Sequence, residues 1–334
     1  PYFYASTLIT ETPLIANEHE NYQPEFSPDG KEIAYVENRT TLKVYNVETK
    51  QSRTLLTGDH LYSGSDADQY FQWSPDGKWI LFDYAVPGLA PGEVGLVSAD
   101  GKGKVINLTE SGFHDRRAKW VLGGKAMIWF SNRDGLKSVA QSGSAQADVY
   151  GMFFTQEAWD RFRLSKEDFA LVKEAEEKKD KEKADAAKKE AAKDEKAEAK
   201  PEGVAIEFDG LDLRKTRLTI HSSSLGDALV SKDGETLYYL ARFERGMNLW
   251  TTTLRTRETK MLVTLNANSG SLAWDKDQKN IFLLADGGLS KIDPAGGKRD
   301  SVAIRGEMTL DTAGERAFML KRDTAASAKV MRKA

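Results

Sequence analysis

The sequence predicts an all-β chain folded as a β-propeller of six four-stranded antiparallel blades, with a charged helical insertion in the third blade. Three observations predict it. First, an eleven-residue unit is written twice, "FSPDGKEIAYV" from Phe26 and "WSPDGKWILFD" from Trp73, about 47 residues apart. Second, weaker copies recur: "WVLGGKAMIWF" from Trp120, "VSKDGETLYYL" from Val230, "WDKDQKNIFLL" from Trp274 and "LDTAGERAFML" from Leu310. Third, each unit is followed by short segments whose apolar residues alternate, such as "TLKVYNVET" and "QSRTLLTG", or "MNLWTTTLRT" and "TKMLVTL". Alternation marks strands. A four-stranded sheet repeated every roughly 40 to 47 residues cannot bury both faces alone, and radial stacking of its copies buries them.

Taken in order, the blades fall near 19–58, 66–109, 115–221, 225–265 and 268–304. Within each repeat the turn chemistry joins two strands into a hairpin: Pro28 and Pro75 preset φ at the second turn position, and Gly30 and Gly77 accept positive φ. The third blade is longer than the rest. Trp120 and Val230 lie 110 residues apart, about 65 more than the other spacings require. The excess holds residues 165–200, rich in Ala, Glu and Lys. Ser165 with Asp168 makes a capping start, and Pro201 and Gly203 stop the run. Its apolar residues are few (Phe169, Leu171, Val172), so an exposed helix is expected. "GVAIEFDGLDLRKTRLTI" then supplies the third blade's closing strand. Residues 305–334 hold about three strands, and a strand within 1–15 is expected to complete that last blade and leave no bare edge. Residues 1–334 thus form one domain; seven blades is the alternative count if the insertion conceals another.

Composition excludes several classes. No apolar run approaches the roughly 18 residues that a membrane span requires. A net charge of -3 argues against a nucleic-acid partner, and the absence of cysteine excludes disulfides, zinc–thiolate sites and a cysteine nucleophile. The chain starts at Pro1 without an initiator Met or a leader, and a fragment or processed product is expected. No nucleophile elbow, metalloprotease motif, phosphate loop or dinucleotide fingerprint occurs, so no catalytic residue, metal site or cofactor is expected. Asp66 and Asp68 lack the glycine and distal glutamate of a calcium loop. The triplets at Asn38 and Asn107 fit the glycosylation pattern, which is too short to mean much alone.

Four histidines, His19, His60, His114 and His221, each lie between one blade's outer strand and the next blade's inner strand. In a propeller these connections share a face with the second-to-third strand loops, around the channel mouth and opposite the S-P-D-G turns. "FHDRRAKW" adds Arg116 and Arg117 at the start of an innermost strand, and Tyr22, Tyr70 and Arg242 are assigned to the same rim. Together they compose a polar, partly cationic rim suited to a peptide's terminal carboxylate. The bland alternative is that inter-blade loops are polar and these histidines cap turns. Trp73, Trp120 and Trp274, with Phe26, read as blade-packing residues.

The S-P-D-G-K blades resemble those of TolB-type, WD40-like propellers and of tricorn-like serine proteases. "DVYGMFFTQEAWDRFRLSKEDF" with its charged helix, "EFDGLDLRKTRLT" after it, and the tail "AKVMRKA" favour the second group. That resemblance implies a non-catalytic propeller that admits, filters or docks peptides or unfolded polypeptide for a serine-protease domain absent from this chain, next to PDZ-like and catalytic partners. It also tilts the expected compartment towards the periplasm or another extracytoplasmic space. The alternative is a stand-alone TolB-like scaffold that holds a protein on its rim. The charged insertion is a candidate contact to a neighbouring domain or to a second copy of the chain.

Overall fold

The computed structural model describes residues 13–62, 64–65, 68–85, 92–137, 145–176, 178, 203–243 and 245–303. Among them are five four-stranded antiparallel sheets, each a simple up-and-down meander. The first holds β1 (Asn21–Phe26), β2 (Glu32–Glu37), β3 (Thr41–Asn46) and β4 (Ser52–Leu56). The second holds β5 (Phe71–Trp73), β6 (Trp79–Tyr84), β7 (Glu93–Ser98) and β8 (Ile106–Asn107). The third holds β9 (Asp115–Val121), β10 (Ala126–Ser131), β11 (Asp148–Phe153) and β12 (Lys215–Arg217). The fourth holds β13 (Ser224–Val230), β14 (Thr236–Arg242), β15 (Met247–Thr253) and β16 (Thr259–Ala267). The fifth holds β17 (Gly270–Trp274), β18 (Ile281–Ala285), β19 (Gly288–Ile292) and β20 (Arg299–Ser301). The fold is a β-propeller. The residues expected to build the sixth blade, 1–12 and 304–334, lie outside the described set.

The core sits between blades, as radial stacking requires. Alternate residues of each second strand face opposite neighbours: Ala34 and Val36 of β2 pack with Trp73, Ile80 and Phe82 of the second blade. Leu81 of β6 in turn packs with Met127 and Trp129 of the third. Tyr238 and Leu240 of β14 pack with Ile281 and Leu283 of the fifth. The repeated tryptophans pin these joints. The indole N–H of Trp73 donates to the Glu25 carbonyl (3.2 Å), that of Trp120 to Gln72 (3.3 Å) and that of Trp274 to Val230 (3.1 Å), each in the preceding blade's innermost strand. Their role is packing plus one polar handle. Phe26, at the same repeat position in the first blade, is exposed, as is Leu284 of β18 on the fifth blade.

The S-P-D-G turns close by side chain as well as backbone. The Ser27 hydroxyl donates to Asp29 (2.7 Å) and accepts from the Glu32 N–H (3.0 Å); Ser74 with Asp76, and Ser231 with Asp233, repeat the arrangement. Gly30, Gly77 and Gly234 adopt φ of 71°, 70° and 78°, where a Cβ is strained. A second repeat closes the outer edges. The Thr109 hydroxyl accepts from the Val94 N–H and donates to the buried Glu93 carboxylate, while Thr219 does the same with Val149 and Asp148. Thr109 is the third residue of the Asn107 glycosylation triplet and is buried in this clamp.

The insertion begins with a helix that the sequence reading did not include, α1 (Gln156–Arg163), capped by the Thr155 side chain. A further helical segment spans 166–176, opened by the Ser165 hydroxyl on the Asp168 N–H (3.1 Å). The helix was expected to be exposed, yet Phe169 is buried. The cause is Arg255 on the fourth blade. Its guanidinium pairs with Glu235 (2.9 Å), bonds the Arg161 and Phe162 carbonyls at the end of α1 (3.1 and 3.0 Å), and lies 3.9 Å from the Phe169 ring centroid. Orphan carbonyls and the negative end of the helix dipole together favour a cation there. Lys173 reaches Asp233 in the fourth blade's S-K-D-G turn (3.4 Å), and on the return the Val204 N–H bonds Asp76 in the second blade's turn (2.8 Å). Both ends of the insertion are therefore tied to the turn face. The expected helical residues beyond 178 lie outside the described set.

Candidate functional site in the propeller channel

The innermost strands, β1, β5, β9, β13 and β17, face the propeller axis. In three of them a bulge breaks the alternation near the loop-face end: between Tyr22 and Glu25, between the partners of Ile128 and Phe130, and between Leu225 and Ala228. A bulge re-aims side chains. In β9 the bulge contains Arg117, at φ 53°, whose backbone N–H donates to Asp83 Oδ1 of the second blade (2.7 Å). Arg116 and Arg117 consequently stand together beside Asp83, and neither guanidinium has an ion pair among the described residues. Arg116 is reached by water yet crowded. That crowding, together with the like charge of Arg117, lowers its pKa, and Asp83 opposes the effect.

Acidic and aromatic groups lie just below. Burial pushes the Asp83 carboxyl up to about 6, while the Arg117 N–H and the charges of Arg116 and Arg117 pull it down. Burial also raises Glu25. The Tyr70 hydroxyl is raised by burial and then by the negative charges of Asp227, Asp83 and Glu25, which places all four around one section of channel. Asp227 is itself held: it pairs with Lys119, accepts from its neighbour Ala228 N–H (2.8 Å), and accepts from the Leu272 N–H of the fifth blade (2.8 Å). Gln23 reaches from the first blade to the Gln69 carbonyl (2.6 Å). The channel wall is thus stitched blade to blade by polar side chains.

The other expected rim residues sit on the loop face but in a different role. The His19 ring bonds Asn38 (3.1 Å), and the Asn38 side chain and backbone bond Glu20 next to it. The His60 ring stacks on Tyr84 at 5.5 Å, and its carbonyl accepts from the Ala85 N–H (3.1 Å). His114 gives its N–H to the Asn132 side chain (3.0 Å). Each clips the entry of an innermost strand to the end of that blade's second strand. Asp286 does the same for Asn268 and Ser269 without a histidine. Tyr22 bonds Glu20, Arg242 bonds the Asn268 carbonyl (2.8 Å), and His221 is exposed ahead of β13. Of the nine expected rim residues, only Tyr70, Arg116 and Arg117 are placed by these contacts in the channel cluster. Glu25, Asp83 and Asp227 were missed. The available signal was their register: Glu25, Tyr70 and Arg117 fall one or three residues before the repeat's aromatic position.

Among the described residues no cluster of His, Cys, Asp and Glu could hold a metal ion, and no helix is long and apolar enough to cross a membrane. No family model matches the chain, and no curated protein matches it. Solved structures do. The tricorn protease matches with a TM-score of 0.58 at 11% identity, over 86% of this chain and 26% of that one. TolB from Acinetobacter baumannii matches with a TM-score of 0.50 at 17% identity, over 88% and 57%. A putative TolB from Agrobacterium tumefaciens matches with a TM-score of 0.50 at 14% identity, over 86% and 82%. The chain therefore spans 57% of the first TolB structure and 26% of the tricorn protease. The likeness is one of fold: this chain is a β-propeller similar to those of TolB and of the tricorn protease.

Proposed function

We propose that this chain is a peptide-receiving propeller, non-catalytic by itself, that admits or docks peptide termini for a serine-protease part of the tricorn kind. The observation that carries this reading is the pair of guanidiniums, Arg116 and Arg117, at the loop-face end of the channel, neither of which has an ion pair among the described residues. Two such adjacent forks suit a carboxylate, which accepts two or more charge-assisted hydrogen bonds. The neighbouring Asp83 carboxyl is held up to about 6 by burial, so below that pH it is neutral and leaves the arginines unopposed. An extracytoplasmic location goes with this reading and is checked by cell fractionation.

The test is titration of a short-peptide mixture into the purified chain and into Arg116→Ala/Arg117→Ala. Saturable binding that weakens about tenfold, roughly 1.4 kcal/mol, is expected. Equal binding by both forms would remove the arginines from the site. Absence of binding by either would favour the second reading, a TolB-like scaffold that holds a folded protein, for which the fold likeness to the two TolB structures is the supporting observation.

A further inference from the structure

On the loop face, the segment after β10 carries a second pair of cations that the proposed function does not use. The Arg133 guanidinium lies 5.6 Å from the Phe113 ring centroid and 5.3 Å from that of Tyr150. The Lys137 ammonium lies 5.1 Å from the Phe113 centroid. Two rings thus hold the Arg133 fork in place without using any of its donors. None of its side-chain nitrogens has a hydrogen bond or ion pair among the described residues: Nε is buried, and the two terminal nitrogens reach solvent. Lys137 donates to the Arg133 carbonyl (2.8 Å) and more weakly to that of Gly135 (3.5 Å), which leaves one of its three N–H groups.

The fold builds this arrangement. The Asn132 side chain accepts from the His114 N–H (3.0 Å), and the Gln146 N–H donates to the Leu136 carbonyl (2.9 Å), so the segment is tied near both ends. The Tyr150 hydroxyl donates to Asp134, which fixes the second ring. Charge then narrows the ligand. Asp134 and the fully buried Asp115 act electrostatically on the same spot as Arg133. Two acids so near oppose a dianion such as phosphate, whereas a monoanionic carboxylate presents two oxygens to one planar fork. We propose that Arg133, Lys137 and Phe113 form a carboxylate site that takes a Glu or Asp side chain of a polypeptide lying on the loop face. That the carboxylate arrives on a polypeptide rests on the function proposed above; the site itself uses neither Arg116 nor Arg117.

Three acetylated hexapeptide mixtures, randomised over uncharged residues at all positions but one, test it by calorimetry on the purified chain. The fixed central residue is Glu in a C-terminal amide, Gln in the same amide, and Gln in the free acid. The Glu amide is expected to bind about tenfold tighter than the Gln amide, the affinity equivalent of one charge-assisted hydrogen bond. Added salt should narrow that gap. It should close to within about twofold in Arg133→Gln, narrow in Lys137→Gln, and persist in Arg116→Ala/Arg117→Ala. Arg133→Lys, which keeps the charge and loses the fork, should retain only part of it. Circular dichroism checks that each variant is folded. Equal binding of the Glu and Gln amides, or no binding by either, overturns the proposal. A Glu preference that survives in folded Arg133→Gln, or that vanishes in Arg116→Ala/Arg117→Ala, also overturns it, because the carboxylate then sits elsewhere. The free-acid arm separates the two sites. If the Gln acid outbinds the Gln amide while Glu and Gln are equal, the reading of Arg116 and Arg117 stands and this proposal falls; the reverse pattern removes that reading and supports this site.

Discussion

Arg255→Met tests how the insertion is held. The substitution keeps most of the aliphatic volume and removes the guanidinium. Its side chain is 7% exposed and its partner Glu235 is 20% exposed. Removing one member of a buried pair costs about 3–5 kcal/mol where both are fully buried, and the partial exposure of Glu235 brings this to the lower end. The carbonyls of Arg161 and Phe162 lose their shared donor, and the Phe169 ring loses a cation worth about 1 kcal/mol or more when desolvated. A loosening of about 3–4 kcal/mol is expected, or some hundredfold to thousandfold more opening of the insertion. Hydrogen exchange reads this directly. The N–H groups of Trp159 and Phe169, bonded to Thr155 and Ser165, should lose protection by that factor, while those of β14, inside the fourth blade, keep theirs. Unchanged protection at Trp159 and Phe169 would show that Arg255 does not hold the insertion. Loss of protection through β14 as well would show that insertion and blade open as one unit.

Two further outcomes follow from the channel and the blade joints. Peptide-acid binding should weaken as pH rises through about 6: below it Asp83 is neutral and the arginines act unopposed, and above it the ionised carboxylate competes for them. Calorimetry in buffers of different ionisation heat should detect proton uptake near pH 6–7, and Asp83→Asn should abolish both effects; a flat profile in the parent protein would refute this. Trp274→Phe keeps most of the packing between the fourth and fifth blades but leaves the Val230 carbonyl without its 3.1 Å donor. A loss of about 1–2 kcal/mol in denaturant unfolding is expected, and no loss would mean that the joint rests on packing alone.

The repeat, the turn chemistry, the hairpins and the third-blade interruption were legible because each depends on residues close in sequence. Ser27, Asp29 and Gly30 build a turn from within five residues, and Trp73, Trp120 and Trp274 announce their common packing role by period alone. The histidines were legible as loop-face residues, whereas their service as strand clips depends on Asn38, Tyr84 and Asn132, some 18 to 24 residues away. The anchoring of Phe169 could not be read locally, since Arg255 lies in another blade and its charge is satisfied by carbonyls that any sequence would supply. The channel cluster is the same case at larger scale. Glu25, Tyr70, Asp83 and Asp227 come from three blades, and their shared field exists only once radial stacking brings the innermost strands around one axis. Sequence by itself determined the unit and its count of strands, through short-range hydrogen bonding and alternating hydrophobicity. Tertiary structure decided which charges meet, because electrostatic interaction depends on distance through space and on burial, and both are set by how the blades pack.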